Sequence, residues 1–294
     1  MGAKEKSYWG ETKVLNDETR AELPGEFVSL SLGHTRYEIG GPASGKPVVL
    51  IHGFTVPYFI WDPTFKALTQ AGFRVLRYDL YGRGFSDRPF GSYAHDLYDQ
   101  QLVDLLDALD FDQPVNVIGL SMGGVVAATF CARHPELVDK LSLIDPVGFP
   151  IRLSIVMKLA NIPGLGELIF NIIGNKTLLK AIANDFFMPK HIANFIDQYR
   201  IPMQYKGFMR AILSTLRTNM LVDDLSAYKQ VGQSGRPVLL LWGQEDKTVP
   251  IHFSDDLINF IPQTDFHPIE KCGHLPHYEK PEIVNPILID FLNS

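Results

Sequence analysis

The chain has 294 residues, enough for one large α/β domain or two small ones around a sizeable core. Hydrophobic residues make up 46% and charged residues 20%, a balance that excludes disordered and fibrous classes. A net charge of −6 with no basic block argues against nucleic acid and anionic membrane as partners.

Met1-Gly2-Ala3-Lys4-Glu5-Lys6-Ser7 is charged and lacks an apolar run, so no secretory signal is expected. It misses an N-myristoylation signal because Lys6 stands where the hydroxyl belongs. The spacing from Phe27 to Gly40 predicts two short strands with a turn at Gly33-His34. Pro47 to His52 is a continuous apolar β run, as in a strand buried on both faces. Trp61 to Ala71 has helical spacing and stops at Gly72, and Arg74 to Asp79 returns to strand. Asp96 to Leu109 reads as a helix with Asp96 as N-cap.

A strand from Pro114 runs into Ser121, followed by an apolar helix that closes at His134-Pro135. Lys140 to Asp145, Arg236 to Trp242 and Thr264 to Ile269 complete the strands. Strands alternating with helices predict a mostly parallel sheet covered on both faces. Residues 148–228 break the rhythm with helical patterns and no convincing strand, which predicts a helical cap over a core formed by 1–147 and 229–294. The longest apolar stretch, Ile151 to Gly174, is interrupted by Arg152, Lys158, Pro163 and Glu167 and makes a poor membrane span. Cys131 and Cys272 lie far apart and read as reduced thiols, so a soluble, cytoplasmic protein is expected.

Gly119-Leu120-Ser121-Met122-Gly123 is a Gly-x-Ser-x-Gly pentapeptide at a strand-to-helix junction, where a sharp turn lifts the serine hydroxyl off the sheet. Nucleophilic serine chemistry also needs a base, an acid to orient it and donors for an oxyanion. His274, after Gly273 in the loop following the last strand, is the candidate base, with His277 as fallback and His267 as a weaker competitor. Asp246, in the loop after the penultimate strand, is the candidate acid. There Glu245 and Lys247 are expected to face water, and Asp145 is the rival acid. The backbone N–H groups of Phe54 and Met122 are the candidate oxyanion donors, and His52 is read as packing inside its turn. Asp79 to Asp87 is glycine-rich without a phosphate-loop ending, and reads as a structural loop in which Asp79, Arg83 and Asp87 pair locally.

Together, His52-Gly53-Phe54, Asp79 to Asp87, Gly119 to Gly124, Trp242 to Asp246 and Gly273-His274 resemble the α/β-hydrolase superfamily in order and position. Within it the chain is similar to capped carboxylesterases and short-acyl lipases, to monoacylglycerol lipases, and to C–C-bond hydrolases of aromatic ring cleavage. The resemblance implies an eight-stranded sheet, a helical cap inserted after the sixth strand, and Ser121, Asp246 and His274 as a triad. Phe54-Thr55-Val56 departs from the Gly-Pro-Gly-type turn of the C–C hydrolases, and Arg200, Arg210 and Arg217 are the cap cations such an enzyme would need. The expected function is a serine carboxylesterase acting on short- to medium-chain apolar esters. The alternatives are a C–C hydrolase and a non-enzymatic binding scaffold. No cofactor and no metal are expected. The expected partner is a small-molecule ester, and monomer and homodimer both stay open.

Overall fold

The structure, a computed structural model, describes residues 8–150, 155–222 and 224–294. The readings of Met1–Ser7, and of Ile151 and Arg152 in the apolar stretch, lie outside the described residues.

Eight strands form one sheet: β1 (Glu26–Leu30), β2 (Gly33–Gly40), β3 (Pro47–Ile51), β4 (Arg74–Tyr78), β5 (Val115–Leu120), β6 (Val138–Ile144), β7 (Val238–Gly243) and β8 (Thr264–Ile269). Their order is β1-β2-β4-β3-β5-β6-β7-β8, with β2 antiparallel to both neighbours and every pairing from β4 to β8 parallel. The central strands are unbroken apolar runs because helices cover both of their faces. Val48 to Ile51, Val115 to Leu120 and Val238 to Gly243 are all buried. The chain moves outward from β3 to β4 and then crosses back to β5. The β3/β5 boundary is therefore a topological switch point, where open α/β sheets gather ligands at strand C-terminal ends.

Three local readings need correction. The hairpin turn is Ser31-Leu32, because Gly33 already pairs with Leu30 across the ladder. The cap of helix His95–Ala108 falls at Ala94, two residues before Asp96, with no side-chain cap. Asp96 lies in its first turn and pairs with Arg133 on the neighbouring helix. The helix after Trp61 is Asp62–Gln70, preceded by a short 3-10 turn, and Gly72 takes φ +91° just past its end as a C′ glycine should.

Between β6 and β7 the described elements are helices joined by turns. They include Ile155–Ala160, Leu165–Ile169, Asn175–Asp185, Ile192–Arg200, Phe208–Leu216 and Ser226–Gln233. Phe149 stacks on Tyr228 and Phe253, and Phe170, Phe186, Phe208 and Met209 are buried, so these apolar residues chiefly pack helices together. The N-terminal segment also grips this insertion: the buried Glu11 carboxylate accepts hydrogen bonds from Gly207 N–H at 3.1 Å and Met209 N–H at 2.7 Å. Among the described residues, no helix is long and apolar enough to cross a membrane.

Candidate active site

β5 ends at Leu120, and the chain turns at Ser121 with φ +54° and ψ −119° before helix Met122–Arg133 begins. This is backbone that L-residues rarely adopt; it costs on the order of 1–3 kcal/mol and persists only where the surroundings impose it. Here they do. A Cβ on Gly119 would sit 2.2 Å from Gly123 O, and one on Gly123 would sit 2.2 Å from Ile51 O. The two glycines of the pentapeptide are therefore required by close backbone packing, as the sequence pattern predicted. Met122 opens the helix, so its N–H is among those a helix leaves without an internal acceptor.

The loop after β3 lies directly against the serine: a Cβ on Gly53 would be 3.4 Å from Ser121 Cβ. His52 is fully buried, and its Nε2 accepts from Leu80 N–H at 2.9 Å. Its proton is therefore on Nδ1, which donates to Gly53 O at 2.8 Å. Burial holds His52 down to about 4, so the ring is neutral and structural. Because Gly53 O points to the His52 ring, the trans peptide turns the Phe54 N–H to the opposite side. Phe54 O in turn accepts from Arg83 Nε at 2.5 Å.

Arg83 is the main correction to the glycine-rich loop. It is fully buried and pairs with neither Asp79 nor Asp87. Its Nη2 donates to Thr215 Oγ1, 2.7 Å away on helix Phe208–Leu216. Asp79 accepts instead from Tyr58 N–H at 2.8 Å and Phe85 N–H at 2.9 Å, and pairs with Arg36. Asp87 pairs with Arg20 and His34.

β7 and β8 are adjacent, and their C-terminal loops carry Asp246 and His274. His274 Nδ1 and Asp246 Oδ2 are 2.6 Å apart, both residues buried. That separation is the length of a charge-assisted hydrogen bond between the two side chains. Asp246 Oδ1 accepts from Thr248 N–H at 2.7 Å and Val249 N–H at 2.9 Å. One oxygen of this aspartate thus closes its own turn, and the other faces the imidazole. Glu245 departs from expectation: it is half-buried and accepts from Cys272 N–H at 2.8 Å. Close approach of the loops requires glycine twice. A Cβ on Gly243 would stand 1.9 Å from Gly273 O, and one on Gly273 would stand 2.3 Å from Asp185 O.

Burial by itself would lower the His274 pKa, but Asp246 overrides it and, with Asp185 and Asp145, raises the imidazole. Asp185 closes the helix Asn175–Asp185, and its carbonyl accepts from His274 N–H at 2.8 Å. The other histidines stand apart. His277 is buried against the Trp61 ring at 4.3 Å, and His267 pairs with Asp265 on β8. The three cap arginines are engaged elsewhere: Arg200 with Asp197, Arg217 with Glu167, and Arg210 with the carbonyls of Arg88 and Pro89. A cleft of about 380 Å³ lined by Tyr8, Phe90, Arg210 and Arg217 includes none of Ser121, Asp246 and His274.

Residues 48–287 match the alpha/beta hydrolase family. The chain belongs to that family. It is 27% identical over 259 residues to the AB hydrolase superfamily protein YisY of Bacillus subtilis (strain 168), covering 85% of this chain and 92% of that protein. It is 26% identical over 283 residues to the 2-hydroxy-6-oxo-6-phenylhexa-2,4-dienoate hydrolase of Burkholderia cepacia, covering 91% and 96%. Among solved structures, the meta-cleavage product hydrolase from Pseudomonas fluorescens IP01 superposes with a TM-score of 0.76 at 23% identity, over 92% of this chain and 97% of that one. This α/β hydrolase thus has the family's eight-stranded sheet, and its relatives include hydrolases of ring-cleavage products.

Proposed function

We propose that this α/β hydrolase is a serine carboxylesterase acting on neutral, apolar esters of short to medium acyl chain. The observation that carries the reading is the buried 2.6 Å contact between His274 and Asp246, in a molecule whose strand-to-helix turn at Ser121 packs against Gly53. In this reading Ser121 Oγ attacks the ester carbonyl while His274 Nε2 takes its proton and Asp246 keeps Nδ1 protonated. The N–H groups of Phe54 and Met122 receive the oxyanion, each contributing about 3 kcal/mol in the transition state. His274 then protonates the leaving alcohol, and water repeats the sequence to free the acid. Residues 148–228 act as a cap whose apolar side chains select the acyl group.

A second reading, C–C-bond hydrolysis of a ring-cleavage product, is favoured by the Burkholderia cepacia relative. It is weakened by the Phe54-Thr55-Val56 turn and by the engagement of all three cap arginines elsewhere. Rates on p-nitrophenyl butyrate, p-nitrophenyl palmitate and 2-hydroxy-6-oxo-6-phenylhexa-2,4-dienoate separate the possibilities. The butyrate is expected to turn over fastest, and Ser121→Ala is expected to lose at least about a thousandfold in kcat. Equal rates for wild type and Ser121→Ala would end the serine mechanism. A faster dienoate would replace the ester with a C–C substrate.

A further inference from the structure

Asp145, at the C-terminal end of β6, is fully buried and takes φ +42°, a left-handed conformation that a non-glycine residue holds only when its surroundings impose it. One carboxyl oxygen accepts from Gly243 N–H at 2.9 Å. The other is buried and has no donor among the described residues. The side chain stands instead beside a second acid: Asp145, Asp246 and His274 each bring one oxygen or nitrogen within 4.8 Å of the others. Two ionised carboxylates at such range in a buried site repel strongly, and a single proton between them removes the repulsion. The same proton gives the orphaned oxygen of Asp145 a partner.

We propose that Asp145 and Asp246 hold one proton between them at neutral pH, with Asp145 neutral and its O–H donating to an ionised Asp246. The side on which the proton resides follows from the hydrogen bonds. Asp246 accepts from Thr248, Val249 and His274, which favours its charged form, whereas Asp145 accepts from Gly243 alone. Burial first, and then the charge of Asp246, push Asp145 well above the ordinary carboxylate range, while His274 and the Gly243 amide pull it down. The remaining titratable neighbours do not supply the missing donor. Asp185 is itself pushed up to about 6 by burial, and burial raises the Cys272 thiol and lowers His277.

The consequence falls on His274 and rests on the reading of that residue as the base. An imidazole faced by three ionised carboxylates, Asp246, Asp185 and Asp145, would keep its proton at neutral pH and could not take one from Ser121. A neutral Asp145 removes one of those charges, and its O–H draws density from Asp246. Asp145 is thus a positioning residue that tunes the base without touching substrate.

Infrared spectroscopy tests this on the intact protein at about pH 8, roughly two units above Asp185, with aspartate isotopically labelled at the carboxyl carbon so that glutamates are silent. A protonated-carboxyl stretch that shifts on labelling and disappears in Asp145→Asn is expected. The acidic limb of kcat/KM in that variant is expected within about 0.3 unit of wild type, because the charge removed was already absent. Asp145→Leu, which removes the donor, is expected to lower kcat about tenfold, and Asn to recover most of that loss. Absence of a label-sensitive band in wild type would overturn the proposal, as would an acidic limb about one unit lower in Asp145→Asn. Should Asp145→Asn not fold, the wild-type band decides alone. Fluorophosphonate labelling of Ser121 is scored separately, and an unlabelled protein that shows the band defeats the serine mechanism while leaving the shared proton standing.

Discussion

At the scale of single residues, Arg83 joins the proposed oxyanion loop to the helical insertion. Its guanidinium is fully buried, donates to Phe54 O and Thr215 Oγ1, and lies over the rings of Phe54 and Tyr93. Fixing Phe54 O fixes the orientation of the segment that carries the Phe54 N–H. The sequence offered no sign of this, since Thr215 is 132 positions away and a local acid–base pairing looked sufficient. A buried guanidinium held by a carbonyl and a hydroxyl is a tertiary fact that no local pattern encodes. Arg83→Met keeps the bulk and leaves Phe54 O without its donor. It is expected to lower kcat on a butyryl ester by about tenfold to a hundredfold, a smaller loss than that of Ser121→Ala. Arg83→Lys is not expected to rescue it, because a compact ammonium cannot reproduce two donors in a fixed fork. Steady-state kinetics together with thermal melts check the point: a lowered Tm with unchanged kcat would make Arg83 purely structural.

At the scale of elements, the loop carrying His274 and the helical insertion are tied together by Glu279. Its buried carboxylate accepts from Gly273 N–H at 2.9 Å on the His274 loop, and from Phe187 N–H at 2.9 Å and Met188 N–H at 2.7 Å just beyond helix Asn175–Asp185. Thr248 Oγ1 adds a bond to Asp185 Oδ1 at 2.5 Å, so the insertion touches both loops. Ser121 is 6% exposed and His274 4% exposed. Glu279→Gln would turn an amide N–H₂ toward backbone donors. That is expected to cost about 2 kcal/mol and to lower Tm by roughly 5 °C. A loosened insertion should also raise the ratio of octanoyl to butyryl ester turnover, measured on one enzyme preparation. An unchanged ratio would mean that this contact serves stability alone. The strands were legible because burial on both faces leaves unbroken apolar runs such as Val48 to Ile51 and Val238 to Trp242. The Gly119/Gly123 spacing around Ser121 was legible because backbone contacts near 2.2 Å admit no other residue. Helix starts were less legible: Ala94 caps without a side-chain bond, while Asp96, two residues further on, mimics the cap the sequence suggested. Glu279 gave no sign at all, since two of its partners are the backbone amides of Phe187 and Met188, 92 and 91 positions away.

At the scale of the whole molecule, acid sensitivity is set in part by histidines buried as neutral groups. His277 was weighed from the sequence as a fallback base, but neither of its ring nitrogens has a well-formed hydrogen-bond partner among the described residues, and its ring packs on Trp61. Burial first, and then His274, hold it down to about 3. In the unfolded chain the same ring takes a proton near its ordinary value of about 6.5. Between those two values the unfolded state binds the extra proton, so stability falls as pH falls through the window and is undiminished above it. The full contribution is about 5 kcal/mol. Asp185 runs the other way: its raised folded value makes the native state relatively more favourable as pH falls from about 6 toward the ordinary aspartate range. A difference between two proteins isolates His277 from that opposing effect. His277→Leu replaces a buried imidazole packed on Trp61 with an apolar side chain, and is expected to change stability by under about 1.5 kcal/mol at pH 8. As pH falls from about 6.5 toward 4, the variant should gain steadily on wild type, by about 3 kcal/mol across that range. Urea unfolding of both proteins at matched pH values reads this directly. Parallel curves would show that the ring finds a proton partner in the folded state, and that acid unfolding of this molecule begins elsewhere.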